Sequence, residues 1–291
     1  MGLFQKLFGS ASNKQTVQDS RSALTPEQFL QTAYVKDITA GYCKDATVLN
    51  PAKSSQPISA TESKFGGRPN LGNFTAYPCC DSCSTPLNFV FQLYRKDFEE
   101  HYWPAGKDLF LLFRCPNDYC PQAYSEPFHA DRKMFHYYFT AAEGINDYID
   151  LPRQPAREND ESPVPDCKLN PERITDYPVY EDFGDVINDI EYKFGESFGD
   201  LFIDEFHAVQ RTKIGGYPSF TQAPDYPKCK CGKEKEFFFQ LSSEDTEPHV
   251  TKPGPDDWSP HGIMIGDVGN IYYYVCKGCG EESIESYWDC Y

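Results

Sequence analysis

The sequence predicts an α+β fold, mainly antiparallel β, built from two pseudo-symmetric repeats with a few helices and two zinc-ribbon-like four-cysteine sites. Three observations carry this. First, SKFGGRPNLGNFTAYPCCDSC (63–83) returns as TKIGGYPSFTQAPDYPKCKCG (212–232). At an offset of 149 positions Lys64 falls on Lys213, Gly66 and Gly67 on Gly215 and Gly216, Pro69 on Pro218, Tyr77 on Tyr226, and Cys80 on Cys229. Second, the apolar run LNFVFQL (87–93) lies over EFFFQL (236–241), which pairs Gln92 with Gln240. Third, each copy has a cysteine pair before its apolar run and another after a later one.

Taken in chain order, residues 1–60 read as an arm and a helix. In MGLFQKLFGS, Leu3, Phe4, Leu7 and Phe8 recur at helical spacing, too short a run for a secretory signal. In TPEQFLQTAYVKDI, Thr25 suits an N-cap, Pro26 the first helical position and Gln28 a capping box. Residues 50–62 read as loop. The first repeat occupies 61–150. Within it LNFVFQLY alternates Leu87, Phe89, Phe91 and Leu93 with Asn88, Val90, Gln92 and Tyr94, so one face is expected inside and Gln92 on the other. The Pro-rich, charged stretch 151–172 reads as linker or surface loop. In the segment 181–205, nine acidic residues stand against Lys193 alone, while Val186, Ile190, Phe194, Phe198 and Leu201 keep helical spacing. One or two helices with an acidic outer face are expected there, bringing the linker and helical region to 206. The second repeat follows over 207–291, with a Pro-containing excursion at 242–262 and the strand NIYYYVC as its terminal one.

Composition bounds the function. Aromatics at 15% supply ample core, and a net charge of −17 with a pI near 4.7 excludes nucleic acid as the natural partner. A cationic polypeptide fits that charge better. No window approaches the roughly 18 apolar residues that span a bilayer, so no membrane span is expected and the address reads as cytoplasmic. In a reducing compartment twelve cysteines call for a use other than disulfides.

Eight of them form four close pairs. Cys80 and Cys83 precede LNFVFQLY, and Cys115 and Cys120 follow LFLLF. Cys229 and Cys231 open the second strand pair, and Cys276 and Cys279 close it. Zinc takes four thiolates in a tetrahedron, and tight turns at neighbouring strand ends supply them. Two structural zinc ions are expected. Buried or redox thiols are the competing reading, and Cys79 competes with Cys80, although only Cys80 aligns with Cys229. Cys43, Cys79, Cys167 and Cys290 are left over without a role.

The repeated K-x-G-G-x-P reads as a tight turn, since paired glycines allow positive φ and proline fixes the exit. It can also be read as a peptide contact made by two symmetric turns. The chain contains no G-x-S-x-G, H-E-x-x-H or Walker A loop. His101, His129, His136, His207, His249 and His261 are scattered, so no catalytic residue is assigned and a non-enzyme is expected.

KFGGRP…FVFQL and KIGGYPSFTQ…FFFQL, with His207 upstream, resemble the bacterial YwqG family over roughly residues 60–279. The first repeat also resembles the programmed cell death protein 2 family in its Gly-Gly-x-Pro turn, Cys80 and Cys83, the strand FVFQLY, and Cys115 and Cys120. YwqG relatives generally lack the cysteine knuckles. The first resemblance implies an α+β fold, with some members acting as immunity proteins. The second implies a chaperone that escorts a basic ribosomal protein. The expected function is a zinc-stabilised, chaperone-like module for a basic polypeptide. The alternatives are an immunity protein that blocks a toxin, or an enzyme with a cleft between the repeats.

Overall fold

Strand β4 (Asn88–Tyr94) and strand β10 (Glu236–Ser242), the two copies of the apolar run, occupy the same position in two separate six-stranded antiparallel sheets. The computed structural model describes residues 24–117, 120, 135–142, 164–245 and 259–291. The expected arm at 1–10 lies outside them, as do residues 151–163 of the linker and 246–258 of the excursion.

The first sheet runs β2 (Ala52–Lys53), β7 (Cys167–Lys168), β3 (Lys64–Phe65), β4, β5 (Leu109–Arg114), β6 (Phe135–Thr140). The second runs β8 (Glu172–Asp176), β1 (Lys44–Val48), β9 (Lys213–Gly215), β10, β11 (Asn270–Val275), β12 (Glu285–Asp289). Position by position the orders match. Each repeat thus supplies four consecutive strands of its own sheet, and the other two come from segments that precede the repeats. Cys167, Lys168 and Glu172, expected within the linker or surface loop of 151–172, therefore belong to strands β7 and β8. NIYYYVC is likewise not terminal, because β12 pairs beyond it, and the expected loop 50–62 includes the short β2.

The chain passes from one sheet to the other through TVLNPAK (47–53) and returns through CKLNPER (167–173). The shared Leu-Asn-Pro is a second internal repeat, at an offset of 120. Leu49 and Leu169 both enter the main core, and the Asn170 N–H donates to the Leu49 carbonyl at 3.0 Å.

That core gathers Phe65, Phe91, Leu93 and Phe110 from one sheet with Ile214, Phe239, Leu241 and Tyr273 from the other. Phe91 and Phe239, equivalent residues, meet with ring centroids 5.0 Å apart. A second core, with Leu87, Phe89, Leu111 and Phe113, lies on the other side of β4 and β5. β4 is consequently buried along its whole length, and Gln92 is fully buried. The expected one-sided alternation fails because a bulge between Phe89 and Phe91 shifts the register, so Phe89 serves one core and Phe91 the other. β10 has its bulge at the matching place, between Phe237 and Phe239.

The helical residues form a third cluster. The capping box of Thr25 and Gln28 is present, but α1 (Pro26–Leu30) stops at Gln31 and Thr32 caps a separate α2 (Ala33–Tyr42). The acidic segment makes α3 (Asp185–Phe194) and α4 (Glu196–Glu205), divided at Gly195 with φ 111°. Phe29, Phe183, Ile190 and Phe202 form their common core.

Candidate metal centres

Each four-cysteine set is drawn together by two turns at the ends of neighbouring strands. In the first, Cys80 and Cys83 sit on the turn before β4, where the Cys80 N–H donates to the Thr85 carbonyl and the Ser84 N–H to the Cys80 carbonyl, both at 2.8 Å. In the second, the Cys229 N–H donates to the Lys233 carbonyl and the Gly232 N–H to the Cys229 carbonyl, again at 2.8 Å. Ser84 and Gly232 are equivalent and both left-handed, at φ 58° and 85°. Cys276 and Cys279 end β11 on a turn closed by the Cys279 and Gly280 N–H groups donating to the Cys276 carbonyl.

The sulfurs have metal-site spacing. Cys80 and Cys120 stand 3.7 Å apart, Cys83 and Cys115 3.6 Å, Cys229 and Cys279 3.7 Å, and Cys231 and Cys276 3.7 Å. Within each set all four lie inside 4.8 Å of one another. A tetrahedron with Zn–S bonds of about 2.3 Å has edges of about 3.8 Å, whereas a disulfide needs about 2.05 Å. The thiols fit a metal and not a bridge.

Their electrostatics agree. Burial tends to raise the Cys83 thiol, but hydrogen bonds with the Thr85 side chain and backbone, Asn117 and Cys115 outweigh it and lower the thiol to about 6. Burial pushes Cys80 and Cys115 upward. In the second set a backbone hydrogen bond at Lys233 lowers Cys231 to about 7, while the neighbouring Cys231 and Cys229 push Cys279 up to about 12. Each cluster holds one easily formed thiolate, and a divalent cation supplies the charge needed to deprotonate the others. Four thiolates leave no open coordination position, so such an ion is structural. Of the cysteines left over, Cys43 and Cys79 are exposed, Cys167 is in the main core, and Cys290 is half-buried.

The repeated turn also has a structural explanation. Gly66, Gly67, Gly215 and Gly216 all have positive φ, between 61° and 74°. A Cβ on Gly66 would stand 2.3 Å from the Val164 and Pro165 carbonyl oxygens, and one on Gly216 would stand 2.3 Å from the Asp176 carboxylate. Pro69 and Pro218 are buried, and the N–H that follows each donates to a buried glutamine: Asn70 to Gln92 Oε1 at 2.8 Å, Ser219 to Gln240 Oε1 at 2.9 Å. The same amides donate from Nε2 to the Glu62 carbonyl at 2.7 Å and the equivalent Arg211 carbonyl at 3.0 Å. Each glutamine staples the chain entering its turn to the chain leaving it.

Two of the scattered histidines also occupy related places, which their spacing in the sequence did not reveal. The β4–β5 connection carries His101 onto the second sheet, where its Nε2 lies 2.9 Å from the Thr47 hydroxyl and its ring lies against Gly215. The β10–β11 connection carries His261 onto the first sheet, where it stacks on Phe65 at 4.7 Å beside Cys167, the equivalent of Thr47. His261 also bonds Asp245 through Nε2 at 2.9 Å and Ser259 through Nδ1 at 2.7 Å. The Ile263 N–H donates to that same Nδ1 at 3.1 Å, so the imidazole proton is on Nε2. The trio has the composition of a hydrolase triad. Its members are buried and held on both sides, which makes it a clasp between the sheets.

The fold and these sites define a class: a pseudo-symmetric pair of antiparallel sheets, each with a four-cysteine cluster positioned to chelate a metal ion. The chain belongs to the family described as a domain of unknown function, DUF1963, which matches residues 63–278. It is also similar to the uncharacterized protein YpfL of Salmonella typhimurium, at 34% identity over 77 residues. That match covers 24% of this chain and 18% of YpfL. Among the described residues no helix is long and apolar enough to cross a membrane.

Proposed function

We propose that the chain is a non-catalytic, zinc-stabilised binding module that engages a basic polypeptide, in the manner of an escort for a cationic client. The observation that carries this reading is the outer face of α3 and α4. Asp185, Glu196 and Asp200 are exposed there beside Tyr192, which is 82% exposed, and Tyr180 just upstream is 57% exposed. Acidic groups of this kind steer a cationic partner, and exposed tyrosines anchor it. Asp189 has a different role: it accepts from Tyr34 at 2.7 Å and pairs with Lys193, so it holds α3 to α2. The net charge of −17 supports the reading, as do the resemblances to the YwqG family and the programmed cell death protein 2 family, whose implied roles are both binding.

The test is capture on immobilised protein from the cytosol of its source, eluted through increasing salt. One basic polypeptide at low salt, released as salt rises and bound roughly tenfold more weakly after D185N, E196Q and D200N together, is the expected result. Undiminished affinity in the triple variant would leave this face merely solvated.

A further inference from the structure

The second Gly-Gly turn borders a cleft of about 520 Å³ that combines residues of both repeats. Gly215, Gly216 and Tyr217 line it from one side, Glu236 from β10, His101 from the β4–β5 connection, and Lys44 and Asp45 from β1. Five acidic residues (Asp45, Glu100, Asp182, Glu234, Glu236) and three lysines (Lys44, Lys235, Lys277) line it; Glu236 pairs with Lys277 at 2.6 Å, Glu100 with Arg173 at 3.0 Å and Lys235 with Glu285, and Asp182 accepts from Tyr226. The first copy of the turn instead packs against the Val164 and Pro165 carbonyls.

His101 gives the cleft a direction. Its side chain is 9% exposed, its Nε2 is taken by Thr47, and its Nδ1 lies beside Gly215, where an added Cβ would stand 2.8 Å away. Burial lowers its pKa, and the tautomer in which Nε2 donates to the Thr47 hydroxyl makes Nδ1 an acceptor on the Gly215 side. The protein places its own cation here: the Lys44 Nζ stands 3.9 Å from the Tyr217 ring centroid, and although burial lowers its pKa, Glu236, Asp176 and Asp182 oppose that shift. An ammonium over an aromatic face with carboxylates nearby is a cation–π subsite.

We propose that this cleft receives a lysine or arginine side chain of an extended basic peptide, with the Gly215–Gly216 turn as one wall and Lys44 as an internal competitor. The proposal rests on the binding-module reading and places a specific contact within it. The volume accommodates one long side chain with its flanking backbone, not a folded domain.

The test uses the metal-loaded full chain and two capped octapeptides, one alternating lysine with glycine and one alternating glutamine with glycine. Binding is followed by NMR of the His101 imidazole and the Gly215, Gly216 and Tyr217 amides. The lysine peptide is expected to give saturable shifts at these four residues and the glutamine peptide none. Exchanging the competitor in K44M should tighten binding about two- to fivefold, and D45N should weaken it by a similar factor. Equal shifts with both peptides would overturn cation recognition. Binding of the lysine peptide with shifts confined to α3 and α4 would overturn the cleft and leave the module reading standing. No binding of the lysine peptide at millimolar concentration would remove both.

Discussion

Lys64 and Lys213 are the same letter of the same repeat, and both are fully buried. Their partners differ. Lys213 Nζ meets the buried Asp176 carboxylate at 2.7 Å, whereas Lys64 Nζ donates to the Ile58 carbonyl at 2.7 Å. Burial lowers the pKa of both ammonium groups; Asp176 opposes that shift at Lys213, and Asp166 and Glu62 oppose it at Lys64. Removing Lys213 leaves the buried Asp176 carboxylate with the Val209 and Tyr217 N–H donors but without its direct counter-charge, while removing Lys64 takes a donor from the neutral Ile58 carbonyl. K213M is therefore expected to lose about 3–5 kcal/mol of unfolding free energy, and K64M about 1–3 kcal/mol. Urea titrations of the two variants read this directly. A K64M loss equal to that of K213M would show that the carboxylate is not what distinguishes the two sites.

The strands and knuckles show which elements can be read from the letters. The repeated turn, the two apolar strands and all eight paired cysteines were legible, because short-range spacing encodes them. The environment of Gln92 was not, since period-two alternation assumes a flat strand and the bulge at Phe89/Phe91 lies between the alternating positions. Nor was the destination of Cys167: β7 is two residues long and is a strand only because β2 and β3 flank it. Leu-Asn-Pro at 49–51 and 169–171 was a signal available in the sequence, hidden by having an offset of 120 rather than 149. The knuckles themselves make a direct prediction. Purified protein should carry about two zinc ions per chain by atomic emission, C80S should carry about one, and a strong chelator should lower the melting temperature of both proteins. Because binding displaces thiol protons, the metal should be held less tightly as pH falls. A metal-free chain with an unchanged melt would remove the structural role from both clusters.

At the scale of the whole molecule the two repeats are not two domains side by side. β1, which precedes the first repeat, completes the second sheet, and β7, which follows it, helps complete the first. The two long connections also cross in opposite directions, His101 to Gly215 and His261 to Phe65, and Tyr137 on β6 donates to the Ile284 carbonyl beside β12 at 3.0 Å. Leu49 and Leu169, 0% and 6% exposed, insert into the shared core from the two crossovers. Since neither sheet holds its full set of strands without the other, the halves should unfold together. L49A and L169A are each expected to cost about 2–5 kcal/mol through lost burial and a residual cavity. In metal-saturated buffer, circular dichroism, which reports both sheets, should shift in step with tryptophan fluorescence, to which Trp103 of the first repeat and Trp288 of the second contribute. If the sheets behaved as independent units, L49A would separate the two probes into distinct transitions, with one sheet melting at its original midpoint. The exchanged strands argue for a joint transition, because a cavity at Leu49 loosens both the crossover from β1 to β2 and the core that the two sheets share.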